Sequence, residues 1–327
     1  MEGASALIGA AVEVAVEGAV EAVPYVVKAA KGHGERRERV KRAKELLGVD
    51  PLPGSAAGFR SDSVHPLYEN GRIHPDNGDA LTFVARDEIY RAAELGELET
   101  REEVLISLNE DILLFGSPAS EGLSRLLFGY RARPGRKDLL RTEVPVDLPF
   151  YWILNEDDLK GNDAGRYVKG RGGDPSFRPP WCIVRRRLGG VDVHRPKLRK
   201  RDRFIKEDFL LVTRMPNFLT DEWPDGRFVV SFGGAHGVAT RAVNLLLSDD
   251  DVLVKIADRL ELDEFGHLRP GADRYQLLLK VGGIEHDPQR GSYATKIDLV
   301  DAVVLSAEDR PWDDAERIVR PALDSWL

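Results

Sequence analysis

Phe228-Val-Val-Ser-Phe-Gly-Gly-Ala-His-Gly-Val-Ala-Thr-Arg-Ala-Val-Asn-Leu-Leu-Leu247 is the stretch that decides the fold class. Phe228 to Phe232 is a short apolar run of the buried-strand type. Gly233-Gly234-Ala235-His236-Gly237 punctuates it, and Val238 to Leu247 follows with helical spacing. Strand, glycine turn and helix together make the half-unit of a parallel sheet.

A second copy of this grammar lies upstream. Asp111 to Phe115 is a buried-type run that ends in Gly116-Ser117-Pro118-Ala119-Ser120-Glu121 and leads into a helical pattern over Leu123 to Phe128. Asp208 to Thr213 is another apolar run, broken by Met215-Pro216-Asn217. Tyr275 to Val281 and Lys296 to Leu305 read as closing strands, and Asp249 to Leu260 as a helix. The pattern resembles a Rossmann-like nucleotide-binding or sensing domain at the level of architecture, over roughly Asp111 to Leu305. The expected fold class is therefore α/β: a Rossmann-like, mostly parallel sheet flanked by helices, with an N-terminal helical segment.

Three regions are expected. Residues 1–49 form the helical segment, in which Glu13, Glu17 and Glu21 make one narrow acidic stripe on an otherwise Ala/Val-rich helix. The carboxylates interrupt any secretory or membrane-spanning reading. Homo-oligomerisation or partner contact suits that helix. Residues 50–79, rich in Gly, Pro, Ser and Asp, read as a linker or irregular loop. Residues 80–327 form the α/β domain, opened by a helix over Ala80 to Ala93. They carry a basic, irregular insertion at about 129–203 with strand candidates at Phe150 to Leu154 and Trp181 to Arg187.

Composition narrows the chemistry. Charged residues are 31% and apolar residues 42% of 327, which are globular values. A net charge of −8 argues against a general nucleic-acid coat, and the basic stretch 185–203 has few interleaved aromatics. Cys182 is the only cysteine, so no internal disulfide forms, and a reducing, cytoplasmic setting fits. The seven histidines are scattered and show no metal-ligand spacing. Neither turn matches G-x-G-x-x-G or G-x-x-x-x-G-K-[ST], and no G-x-S-x-G elbow occurs, so the sequence names no cofactor.

The candidate site is the pair of turns. Backbone N–H groups at a helix start suit an anion, with Gly116, Gly233, Gly234 and Gly237 permitting close approach. Ser117, Ser120, Thr240 and Arg241 are candidate ligand contacts, and His236 is the candidate proton donor or acceptor. Glu121 is the candidate nucleophile or base. Arg214 and Asn217, at the end of the Asp208 strand, are expected to flank the same crevice. Three readings follow. The first is a sensor or effector module that binds a nucleotide or another small anion. The second is a nucleotide- or nucleoside-processing hydrolase that cleaves an N-glycosidic bond through Glu121 and His236. The third is a self-assembling structural protein in which the turns are only turns.

Overall fold

The computed structural model describes residues 34–50, 58–59, 63–65, 68–69, 72–73, 112–118, 122–132, 139–141, 148–154, 182–188, 190–199, 204–217, 227–261, 272–287 and 291–305. In chain order the strands that matter are β1 (Ser63–His65), β2 (Ile112–Phe115), β3 (Phe150–Ile153), β4 (Cys182–Arg187), β5 (Gly190–His194) and β6 (Lys197–Leu198). They continue with β7 (Ile205–Pro216), β8 (Phe228–Gly234), β9 (Tyr275–Gly282), β10 (Glu285–Asp287), β11 (Gly291–Tyr293) and β12 (Lys296–Val304). The helices are α1 (residues 34–46), α2 (Gly122–Leu127), α3 (Gly237–Arg241), α4 (Val243–Ser248) and α5 (Asp250–Glu261). Three short two-stranded ladders complete the described strands.

The central sheet runs β12-β9-β7-β8-β2-β1, with β6 also paired to β7. Only β8–β2 and β2–β1 are parallel; β7 is antiparallel to both β8 and β9, and β9 is antiparallel to β12. This corrects the expected Rossmann-like architecture. The described residues are mostly strand, in a mixed sheet with short helices, and a helix-flanked parallel sheet is not what forms. The physical reason lies in the connections. Parallel neighbours need a crossover of a dozen or more residues, usually helical. Between Pro216 and Phe228 there is no such length, and Asn217 N–H closes the turn on the Arg227 carbonyl at 2.9 Å. Apolar runs show that a strand is buried, and they carry no direction.

Strand alternation sorts the core into two halves. Leu210, Val212, Val230, Phe232, Tyr275, Leu277 and Leu279 point to the face covered by α1, α3, α4 and α5. Phe115 and Phe232, partners in the parallel register, stack there at 5.4 Å. Leu211, Met215, Val229, Leu278, Ile112 and Leu114 meet Phe150, Trp152 and Ile183 of a small antiparallel sheet, β5-β4-β3, on the other face. The expected irregular insertion thus contributes a second layer. Gln276 fastens it: its Oε1 accepts from Phe150 N–H at 2.7 Å, and its Nε2 donates to Phe150 O at 3.1 Å and Thr213 Oγ1 at 3.0 Å.

α1 docks on the sheet's own helical layer. Ala43, Leu46 and Leu47 enter the core, and burying each leucine contributes about 1.5–3 kcal/mol. Arg36, Arg39 and Arg42 pair with Asp251, Asp258 and Glu261 along α5. Those pairs are exposed and each contributes less than about 1 kcal/mol. The end of α1 is capped more firmly. Arg214 donates to Leu46 O at 2.8 Å while lying 4.2 Å over the Phe228 ring, and Tyr275 donates to Leu46 O at 2.7 Å. Burial pushes the Tyr275 hydroxyl well above its ordinary range, with the Arg214 charge opposing, so it stays a neutral donor. Arg214→Met should lower stability by about 1–3 kcal/mol in urea unfolding, because the carbonyls it serves lose a charged donor. A shift under a tenth of that would show that the cap is idle. The expected helices over residues 4–30 and 80–93 lie outside the described residues.

Among the described residues no helix is long and apolar enough to cross a membrane.

Candidate functional site

β2 and β8 are hydrogen-bonded parallel neighbours, so their C-terminal turns emerge side by side. Gly116 N–H donates to Phe232 O at 2.9 Å. A Cβ on Gly233 would lie 3.2 Å from both Gly116 O and Ser117 Cα, and 2.6 Å from Trp152 Cζ2. Gly116 has φ 132°, a backbone region that favours glycine. The sequence-derived pairing of the two turns is therefore a real juxtaposition. Ser117 is buried in it, and Ser124 Oγ and Arg125 Nε of α2 donate to Gly116 O and Pro118 O to hold the first turn. Ser120 and Glu121 lie outside the described residues.

Most polar groups of the second turn are spent internally. Gly234 N–H donates to Thr240 Oγ1 at 3.0 Å, and Ala235 N–H to Phe209 O at 2.8 Å. Thr240 is thus a clamp that closes the turn. Arg241 reaches away from it and donates to Ser292 O at 2.7 Å, tying α3 to the β10–β11 hairpin. Gly237 begins α3, directly after His236 at the N-cap position.

The sequence reading missed the residue that organises this turn. Asp208, at the head of the β7 ladder with β9, is fully buried. Its carboxylate accepts from Phe209 N–H at 2.9 Å, from His236 N–H at 3.1 Å, and meets His236 Nδ1 at 3.2 Å. An acid at the start of an otherwise apolar run was the available signal. A carboxylate offers only acceptor oxygens, so the His236 contact is read as a hydrogen bond donated by Nδ1–H, which turns Nε2 away from Asp208. The His236 side chain is 22% exposed and Asp208 is 0% exposed. One nitrogen is held by the interior while the ring keeps a solvent-facing part.

Arg214 and Asn217 are not brought to this place. In the β7–β8 ladder Leu210 pairs with Gly234 whereas Pro216 pairs with Phe228. Six residues at about 3.4 Å each put the two ends about 20 Å apart. Arg214 caps α1 and Asn217 is buried in the opposite turn. The basic stretch is likewise absorbed by structure: Arg185 pairs with Asp301, Arg187 with Asp192 and Lys197 with Glu207. The two lysines on Glu207, Lys197 and Lys280, hold its carboxyl below the ordinary range.

The chain matches no protein-family model, and neither a curated protein nor a solved structure is significantly similar to it. Among the described residues no group of three or more His, Cys, Asp or Glu is placed to hold a metal ion. Cys182 is buried, which pushes its thiol up to about 12 and leaves it inert as a nucleophile near neutral pH.

His194 gives a pH prediction. It lies between the rings of Phe150 and Phe209, at 6.2 and 5.6 Å. Burial lowers its pKa from 6.5; Asp192 and Asp301 oppose the shift, and Arg185 and Arg187 reinforce it. Below about 6.5 the unfolded chain takes up this proton before the folded one does, so stability falls as pH drops through that value and levels off below the folded pKa. Urea midpoints should be lower at pH 5.5 than at pH 7.5, and His194→Gln should flatten the difference. An unchanged slope in the variant would remove His194 as the cause.

Proposed function

We propose that the protein is an enzyme of the hydrolytic, acid–base type, with His236 transferring the proton and Asp208 positioning it. The observation that carries this reading is the buried Asp208 carboxylate on His236 Nδ1, which leaves Nε2 as the working base. A histidine oriented in this way takes a proton from water or a hydroxyl and returns it to the leaving group.

The same geometry counts against capture of an anion at the second turn. The amides of Gly234, Ala235 and His236 already have acceptors. The last of those acceptors is itself a carboxylate, whose charge repels phosphate. The nucleotide or small-anion sensor is thereby the weaker reading, and a substrate neutral at the reacting centre the better fit. Cleavage of an N-glycosidic bond, with Glu121 as the second group, is one hydrolysis of this kind.

The test is a substrate panel of nucleosides, esters and amides, read by mass spectrometry. His236→Gln should lower kcat on any turned-over compound by about 10²–10⁴-fold while leaving the unfolding midpoint within a few degrees. Turnover that survives His236→Gln at the wild-type rate would end the proposal.

A further inference from the structure

Two buried polar side chains near the seam between the turns have no protein partner. Trp152 Nε1 and Ser231 Oγ are each shielded from solvent, and neither makes a hydrogen bond to the chain. Trp152 packs on Gly233, and Ser231 lies two residues before it on β8. Trp152 Cζ2 sits 2.6 Å from where a Gly233 Cβ would be, and Nε1 is two bonds from that carbon. Ser231 precedes Gly233 by one strand repeat, so its side chain leaves the same face of β8, about 6.8 Å along. Its neighbours across that face are Thr213, in register on β7, and then Gln276 on β9. The Gln276 amide is committed to Phe150 and Thr213, so it cannot serve Ser231.

An unpaired buried donor costs free energy comparable with a lost hydrogen bond, and native interiors rarely leave one unsatisfied. One is an indole donor only, and the other a hydroxyl that both donates and accepts. We propose that a single water molecule is bound between the two sheets at this point, accepting from Trp152 Nε1–H and hydrogen-bonded to Ser231 Oγ. Water has the right capacity: it accepts from the indole while donating to the hydroxyl. Two hydrogen bonds of about 2.8–2.9 Å let it join atoms up to about 5.5 Å apart. The site is internal, which favours water over any larger solute. It is independent of the chemistry assigned to His236, which lies on the opposite face of the sheet's end.

Two measurements on the full-length protein test it together. In a water-selective nuclear Overhauser spectrum, the indole N–H of Trp152, assigned by its loss in Trp152→Phe, should show a long-lived water cross-peak. That peak should vanish in Ser231→Val, whose second methyl fills the space. Ser231→Ala removes one anchor of the water without adding volume, so its melting temperature should fall. Without a bound water the same variant removes an unsatisfied hydroxyl, and the melting temperature would rise. A rise in Ser231→Ala, or no water cross-peak on Trp152 in the wild type, overturns the proposal.

Discussion

Gly234→Ala should destabilise the protein by about 3 kcal/mol or more, the upper part of the range for forced overpacking. A methyl group at that position would lie 2.6 Å from Thr240 N and 2.8 Å from Ala239 Cβ, and would press on His236 O as well. None of these atoms can rotate away. Two are backbone and the third is a Cβ fixed to it, all within the first turn of α3. Relief requires α3 to lift from β8, which breaks the Gly234 N–H bond to Thr240 Oγ1 and exposes Val238 and Ala239 of the core. Gly233→Ala meets a different obstacle. Its nearest neighbour is the Trp152 ring at 2.6 Å, with Gly116 O and Ser117 Cα at 3.2 Å, and a ring can tilt where a backbone cannot. The midpoint should therefore fall by about 5 °C in Gly234→Ala, taking about 1.5 °C per kcal/mol for a chain of this size. Gly233→Ala should lose less. Equal losses, or none, would show that the turn is looser than these distances require.

Asp208→Ala should be comparably damaging, because it strips the acceptor from three donors at once. Phe209 N–H, His236 N–H and His236 Nδ1 would all lose their partner. Each unsatisfied buried donor costs about 1–3 kcal/mol, so the loss should reach about 3 kcal/mol by urea unfolding. Asp208→Asn separates fold from function. Its carbonyl still accepts, so the stability loss should be smaller. Its amide nitrogen is a donor, however, and it competes with the donors the carboxylate satisfied. His236 then gains from carrying its proton on Nε2, which deprives the site of its base. Long-range ¹H–¹⁵N spectra of the imidazole should show the Nδ1–H form in the wild type and the Nε2–H form in Asp208→Asn. On any substrate found, kcat should fall by about 10³–10⁴-fold, the scale of a comparable carboxylate-to-amide change in a serine protease triad. A wild-type ring already protonated on Nε2 would remove the basis for assigning His236 as a base.

The difference between those two residues shows what was legible beforehand. His236 stood out because it can give or take a proton near neutral pH, and Gly116, Gly233 and Gly234 stood out because turns advertise themselves locally. Asp208 did not stand out. Its importance depends on β7 running antiparallel to β8, which carries the head of one strand to the tail of the other. Arg214 and Asn217 fall away from His236 for the matching reason: only parallel strands would have brought those ends together. Thr240 and Arg241 lie on α3 beside the turn, yet their polar atoms are spent elsewhere, Thr240 on Gly234 N–H and Arg241 on Ser292 O of the β10–β11 hairpin.

The sequence alone placed the longer buried strands, α5 and the glycine turns, and left β5 and β6 inside an expected irregular insertion. β8 and β9 begin at the expected Phe228 and Tyr275, and β12 at Lys296. Those assignments rest on period-two and period-3.6 burial and on glycine, all of which act between near neighbours. It marked the Gly116 and Gly233 turns as alike, since both follow buried strands that feed helices, and the parallel β2–β8 pairing sets them side by side. Tertiary structure alone decided strand direction, and with it the mixed sheet in place of a parallel one. It likewise decided that a small antiparallel sheet covers one face, and that the partner of His236 is a buried acid 28 residues earlier. Such pairings are set by which buried surfaces and hydrogen-bonding groups satisfy each other across the whole chain, and no local window of residues contains both partners.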